Sequence, residues 1–138
     1  MVKNLKISFL FVFTLWVVFV VDLILPMDFN KFGIVPRTPF GLIGIVTSPF
    51  LHANLTHLIS NTVPLFVLTL ILLAFYKRES LSVIIIVVLL GGILVWIFGR
   101  SSYHIGASGL IYGVVAFLIS CGIFRRNLRA IILSIIVL

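Results

Sequence analysis

The run LSVIIIVVLLGGILVWIF, from Leu81 to Phe98, is eighteen residues long and contains no charged side chain. Such a run predicts a membrane-spanning helix, because about 20 residues rising 1.5 Å each cross a hydrocarbon layer roughly 30 Å thick. Three further uncharged or nearly uncharged runs extend from about Ile7 to Leu25, His57 to Phe75 and Gly106 to Phe124. The sequence therefore predicts an all-α membrane protein with four full spans.

The composition of the whole chain supports a membrane location. Of the 138 residues, 62% are hydrophobic and 9% are charged, and the mean hydropathy is +1.38. A soluble domain carries about 25% charged residues, so this chain has more apolar surface than it could bury in water. Its length leaves no room for a separate soluble domain. We expect one membrane domain over residues 1–138, with any chemistry done within or beside the spans.

The basic residues predict the orientation of the spans. If the amino terminus is cytoplasmic, the cytoplasmic segments hold Lys3, Lys6, Lys77, Arg78, Arg125, Arg126 and Arg129, and the outer segments hold Lys31, Arg37 and Arg100. This excess of inner charge satisfies the positive-inside rule, so we expect a cell-membrane protein with a cytoplasmic amino terminus. The charges form no continuous stripe, so the net charge of +7 does not indicate a nucleic-acid partner.

A fifth apolar run begins at Ala130 and stops at Leu138. These residues rise only about 13 Å, which is less than half of the hydrocarbon layer. A carboxylate left in the middle of a bilayer costs several kcal/mol. We therefore expect the natural protein to continue beyond Leu138, so that the chain holds four spans and part of a fifth.

The connecting segment between the first two spans, residues 26–53, is apolar but repeatedly interrupted. The interruptions are Gly33, Pro36, Pro39, Gly41, Gly44 and Pro49. The segment is too apolar for a solvated loop and too broken for a spanning helix. We expect it to lie at the outer membrane interface and to dip partly into the bilayer.

Polar side chains near the ends of two spans are candidates for function, because polar groups in a span usually face the protein interior. His57 and Asn61 are four residues apart and share one helix face. Ser108 begins another span, where unpaired N–H groups and the helix dipole favour an oxyanion. Gly109 and Gly113 form a small face that allows a neighbouring helix to approach closely. This is the layout of an acyl-transfer site.

Each of these groups also has a purely structural interpretation. The Gly-x-Ser-Gly sequence that begins at Gly106 is also typical of close helix packing. A histidine and an asparagine such as His57 and Asn61 are also typical of hydrogen bonding between helices. A zinc site made by His52 and His57 lacks a third ligand, and a spacing of five residues places the pair on different helix faces. The single cysteine, Cys121, excludes a disulfide framework. We expect no metal and no cofactor.

Taken together, the polar groups resemble those of the rhomboid family of intramembrane serine proteases. The matching residues are His52-x-x-x-x-His57-x-x-x-Asn61 at the second span, and Gly106-x-Ser108-Gly109 with Tyr112 at the fourth. The resemblance covers essentially the whole chain. It implies a rhomboid-like polytopic bundle of six helices around a cavity that opens to the outside.

The resemblance also implies a role for each matching residue. Ser108 would be the nucleophile that attacks a peptide bond of a membrane-embedded substrate. His57 and Asn61 would donate hydrogen bonds to the oxyanion, each typically worth about 10²–10³ in rate. His52 would help to order the connecting segment and the hydrolytic water. The implied partners are transmembrane protein substrates and the lipid bilayer.

Supporting roles follow for residues around the serine. Tyr112 would stack against the catalytic histidine, and Gly109 and Gly113 would admit a sixth helix. Gly106 opens the serine motif.

The sequence departs from the family pattern at the general base. In the family this base is a histidine on the sixth span, but no histidine follows His104 here. A serine without a base is a poor nucleophile, so we expect the base to lie beyond this chain and the chain alone to be inactive. Asp22, Arg37 and His104 receive no role from the resemblance.

Two other functions stay open. One is a non-catalytic rhomboid-like protein that binds client transmembrane helices, for which the serine and oxyanion groups would be unnecessary. The other is a fragment of a channel or transporter, which is disfavoured because Asp22 is the single acidic residue in any span.

Overall fold

Five α-helices are present in the computed structural model, which describes residues 2–124 together with Leu128 and Ile132. They are α1 (Val2–Ile24), α2 (Gly44–Thr47), α3 (Leu55–Phe75), α4 (Ser80–Phe98) and α5 (Ser108–Phe124). The described residues contain no β-strand, and the predicted all-α fold is confirmed. The expected partial span at residues 130–138 lies outside the described residues, apart from Ile132.

Three helices, α1, α3 and α4, are long and apolar enough to cross a membrane, with 23, 21 and 19 residues. α5 is the predicted fourth span, and its 17 residues rise about 25 Å. It begins at Ser108 rather than at Gly106, because the φ of Gly106 is +106°, outside the helical region. The protein is an integral membrane protein.

Leucine side chains form the centre of the bundle. α1 packs on α3, α3 on α5, and α5 on α4. The most deeply buried large side chains are Leu15, Leu58, Leu65, Leu68, Leu72 and Leu118. The outward faces are equally apolar, as Phe9 and Leu90 illustrate with exposed fractions of 63% and 57%. Apolar surface on both sides suits a bundle whose solvent is lipid.

The connecting segment is held against the end of α4 and the loop that follows it by hydrogen bonds. It contains α2 and three 3₁₀ turns, Phe29–Phe32, Phe40–Leu42 and Ser48–Phe50. Ile34 and His104 exchange two backbone hydrogen bonds of 3.0 and 2.9 Å. The Trp96 carbonyl accepts from the Arg37 N–H at 3.0 Å, and the Trp96 Nε1–H donates to the Thr38 carbonyl at 2.8 Å. These bonds tie the segment to the end of α4.

Close packing between α2 and α4 depends on Gly92. A Cβ added at Gly92 would lie 2.6 Å from Ile45 Cγ2 and 3.1 Å from Ile45 Cα. On the other side of the segment, Leu42, Ile43 and Val46 are exposed. This outward apolar face is what an interfacial segment needs, and its position in the membrane interface stays a prediction.

We expect Gly92→Ala to destabilise the protein and Gly91→Ala not to do so. The methyl group at position 92 meets the α2 backbone, and overpacking of this kind costs about 1–3 kcal/mol. Nothing lies within 4 Å of a Cβ added at Gly91, so alanine there gains helix propensity worth up to about 1 kcal/mol. Thermal unfolding of the detergent-solubilised variants measures the difference. Equal melting temperatures would contradict this packing.

Candidate active site

The two sequence motifs meet at the start of α5. The Ser108 Oγ–H donates to Asn61 Oδ1 at 3.0 Å, and the Asn61 Nδ2–H donates to the His57 carbonyl at 2.9 Å. Asn61 is buried, with an exposed fraction of 3%. Side chains that lie 47 positions apart in the sequence are therefore joined directly. The first N–H groups of α5 have no partner within the helix and carry its positive dipole end.

His57 is placed by the start of α3 and by Gly106. The side chain of Asn54 caps α3 and accepts the His57 N–H at 2.9 Å. A Cβ added at Gly106 would lie 2.5 Å from His57 Nε2, so the imidazole rests against the glycine backbone. The Gly106 N–H donates to the Ser48 carbonyl at 2.9 Å. The connecting segment therefore holds the turn that precedes Ser108.

The amide of Asn61 accepts a hydrogen bond from Ser108 in this structure and does not donate one to it. Its Nδ2 is engaged with the His57 carbonyl. Nδ2 carries two N–H groups, of which one is bonded to that carbonyl, so donation to an oxyanion beside Ser108 uses the second N–H or a turned amide. An amide oxygen is not a base, so the hydrogen bond orients the Ser108 hydroxyl without removing its proton.

A cavity of about 260 Å³ opens beside Ser108. It lies between the connecting segment, α4 and α5, and its lining includes Ile34, Gly91, His104 and Gly109. A Cβ added at Gly109 would meet nothing within 4 Å. The space next to the serine is therefore open along α5.

His52 lies in the connecting segment, outside the spanning helices, and its ring contacts that of His57. The ring centroids are 5.0 Å apart, so the expectation that a spacing of five residues separates the pair is wrong. The reason is that α3 begins only at Leu55, which leaves His52 free to fold back. No group of three or more metal-binding side chains occurs within the part of the chain that the structure describes.

His52 is neutral in the folded protein. Burial, followed by the nearby charge of His57, lowers its pKa from 6.5 to about 4, against the hydrogen bond with the Phe50 carbonyl. The exposed fraction of His52 is 2%, and its Nε2 has no hydrogen-bond partner among the described residues. The predicted role of ordering a water is compatible with this unpartnered nitrogen and stays a prediction.

The supporting residues of α5 divide between two faces. A Cβ added at Gly113 would collide with Val87, so the described neighbour of this glycine is α4. The approach of a sixth helix to Gly109 and Gly113 stays a prediction. Tyr112 is 64% exposed and points out of the described bundle. Its stacking on a catalytic histidine stays a prediction.

The three polar residues without a predicted role stabilise the connecting segment and the end of α4. Arg37 donates through Nη1 to the carbonyls of Ile97 and Gly99 at 3.0 and 2.9 Å. Asp22 accepts the Phe29 N–H at 2.8 Å. His104 Nε2 lies 2.9 Å from the Arg100 carbonyl. No spacing in the sequence signals these contacts, because each joins a side chain to a backbone group.

The geometry defines a class of protein: a polytopic helical membrane protein with a serine at a helix start, bonded to an asparagine one turn after a histidine. Comparison with known families agrees with this class. The family described as Rhomboid domain matches residues 39–138. The chain belongs to the rhomboid family.

Similar proteins occur in mycobacteria. Uncharacterized proteins of Mycobacterium tuberculosis (strain ATCC 25618 / H37Rv) and Mycobacterium bovis are each 36% identical over 134 residues, covering 93% of this chain and 56% of theirs. An uncharacterized protein of Mycobacterium leprae is 41% identical over 90 residues, covering 61% of this chain and 36% of its own. The chain thus spans about half the length of the first two relatives and about a third of the last. No solved structure matches it.

We expect Gly106→Ala to destabilise the protein and displace His57. Alanine at a φ of +106° costs about 1–3 kcal/mol, and its methyl group would also clash with the imidazole. The melting temperature should fall by about 5–10 °C. Gly109→Ala is the matched control, because it lies three positions later in open space. An equal effect of the two variants would contradict this account of Gly106.

We expect stability to fall as the pH is lowered from 6.5 towards 4. In the unfolded state His52 takes up a proton near pH 6.5, whereas in the folded state it does so only near pH 4. Within this range protons bind the unfolded chain preferentially and favour unfolding. Melting temperatures between pH 7.5 and 4.5 measure the effect, and His52→Gln should show a shallower decline. A variant with the wild-type slope would argue against His52 as the source.

Proposed function

We propose that this protein is an intramembrane serine endopeptidase that cleaves transmembrane or membrane-proximal segments of other membrane proteins. The observation that carries the proposal is the 3.0 Å hydrogen bond from Ser108 Oγ to Asn61 Oδ1 at the start of α5. Membership of the rhomboid family supports a hydrolase at the level of the family. The bundle places this polar pair inside an apolar scaffold, where a substrate would have to reach it from the membrane.

In the proposed reaction, Ser108 Oγ attacks the carbonyl carbon of the scissile peptide bond as its proton passes to a base. The oxyanion receives hydrogen bonds from the Ser108 N–H and from the side chains of His57 and Asn61. The C–N bond then breaks, and the base returns the proton to the leaving amine. Water hydrolyses the acyl-enzyme by the same sequence of proton transfers and regenerates the Ser108 hydroxyl.

We propose that the general base is a histidine in further sequence such as the longer relatives have. The described partner of the Ser108 hydroxyl is an amide oxygen, which cannot accept its proton, and no histidine follows His104 in the sequence. The mycobacterial relatives are nearly twice as long as the matched part of the chain, which leaves room for further helices. Under this proposal the 138-residue chain holds the nucleophile and oxyanion donors but does not cleave by itself.

We further propose that the site opens to the outer face of the cell membrane. The starts of α3 and α5 lie at the same end of the bundle as Lys31, Arg37 and Arg100, whereas Lys3, Lys6, Lys77 and Arg78 lie at the other end. By the positive-inside rule, the end with more basic residues is cytoplasmic. Substrates would then be cut near the outer surface.

A non-catalytic rhomboid-like protein that binds client helices is the second candidate. It is favoured by one observation, namely that no imidazole is bonded to Ser108 in the described residues. In such a protein the serine–asparagine bond would only hold α3 and α5 together.

We expect a fluorophosphonate probe to label the protein carrying its natural sequence beyond Leu138, and to do so at Ser108. Ser108→Ala should abolish labelling and substrate cleavage, because the nucleophile is lost. His57→Ala and Asn61→Ala should each lower kcat by about 10²–10³, because one oxyanion donor is lost. In-gel fluorescence and cleavage of a reconstituted transmembrane substrate measure these effects.

Ser120→Ala is the matched control, since Ser120 is an exposed serine on the same helix. It should label and cleave like the wild type. Persistent labelling of Ser108→Ala would refute the nucleophile assignment. A folded, reconstituted wild type that neither labels nor cleaves but retains client helices would establish the non-catalytic alternative.

A further inference from the structure

A groove of about 560 Å³ separates α1 from α4 at the end of the bundle opposite Ser108. The carboxyl-terminal part of α3 contributes to its lining. Its apolar lining consists of Ile7, Leu10, Phe11, Leu73, Leu81 and Ile84. Asn4, Thr14 and Thr69 also line the groove, and no residue of the polar site described above takes part in it.

Two lysines stand at the mouth of the groove. Lys3 near the start of α1 and Lys77 in the turn before α4 both line it, and both are exposed. Ser80, the first residue of α4, lines the same end, so the unpaired N–H groups of that helix start lie there too. The acidic residue of this turn, Glu79, is not among the lining residues. The mouth is therefore complementary to an anion.

The depth of the groove matches one leaflet of a bilayer. From Lys3 to Thr14, the first and last lining residues of α1, the helix rises about 16 Å, roughly half of a 30 Å hydrocarbon layer. Beyond Thr14 the outward side chains of α1, such as Val17 and Val20, are exposed and do not line the groove. A groove of this depth fits an acyl chain of one leaflet and is only about half as long as a helix that crosses the membrane.

We propose that this groove binds one anionic phospholipid of the leaflet that contains the amino terminus of α1. The phosphate lies between the ammonium groups of Lys3 and Lys77, close to the start of α4, and an acyl chain follows the apolar lining. The positive mouth, the apolar wall and the one-leaflet depth together select this occupant over a protein helix or a free anion. The proposal depends on the membrane location of the chain and not on its proposed protease activity.

The experiment measures lipid retained by the purified protein. The protein is exchanged into micelles holding equal amounts of phosphatidylglycerol and phosphatidylcholine, and bound lipid is counted by native mass spectrometry. Two lysines near the membrane surface predict an about 30-fold preference for phosphatidylglycerol. The double variant K3Q/K77Q should lose most of this preference, because both ammonium groups are removed.

Two further variants separate charge from shape. K31Q/R100Q removes two exposed charges from the other end of the bundle and should keep the preference. Leu81→Trp leaves both lysines in place but fills the apolar wall, and should lower the retention of phosphatidylglycerol at least fivefold.

Several results would overturn the proposal. Equal retention of the two lipids would show that the groove does not prefer an anionic lipid. If K31Q/R100Q lost as much of the preference as K3Q/K77Q, the preference would arise from the net charge of the protein and not from this groove. Full retention by Leu81→Trp would exclude the acyl chain from the groove. Displacement of the lipid by inorganic phosphate at millimolar concentration would show a free-anion site instead. A melting temperature equal to that of the wild type, measured for each variant, establishes that the losses do not arise from misfolding.

Discussion

The hydrocarbon layer offers no water to the backbone, and this constraint governs the whole molecule. A helix satisfies its own N–H and C=O groups, but an irregular segment at membrane depth has to find partners in its neighbours. The connecting segment does so through Ile34 with His104 and through Arg37 and Thr38 with Trp96. Its breaks at glycine and proline are tolerable because the end of α4 supplies the missing partners.

Another backbone bond of the connecting segment helps to build the polar site. The Ser48 carbonyl accepts the Gly106 N–H, which fixes the turn where α5 begins. Gly106, having no side chain, leaves room for the His57 imidazole, and α3 brings Asn61 to Ser108. The position of the serine therefore results from contacts among three separate parts of the chain. A displacement of the connecting segment is therefore expected to move Ser108, because the Ser48 carbonyl is bonded to the Gly106 N–H.

Much of this arrangement could be predicted from the sequence. The uncharged run at residues 81–98 corresponds to α4, Ser80–Phe98, because the lengths of apolar runs are set by the bilayer. The helical period places His57 and Asn61 on one face. Ser108, two residues after Gly106, indicates the start of α5. Such features are local in the sequence, so the residues themselves carry the signal.

Other features could not be predicted, because they depend on backbone groups that lie far away in the sequence. The direction of the Asn61 amide is set by the His57 carbonyl, and the contact of Gly113 with Val87 depends on how α4 and α5 pack. The proximity of His52 and His57 follows from where Asn54 starts α3. Arg37 binds carbonyls sixty or more positions away, which no pattern in the sequence indicates.

This separation along the chain also sets an order of events during synthesis. At about 5–20 residues per second, the ribosome needs roughly 3–12 seconds to add the sixty residues between Arg37 and its partners. Until then the backbone N–H and the guanidinium of Arg37 have no partners in α4. The segment is made early but docks late, so the surroundings of Ser108 are completed only after α4 has entered the membrane.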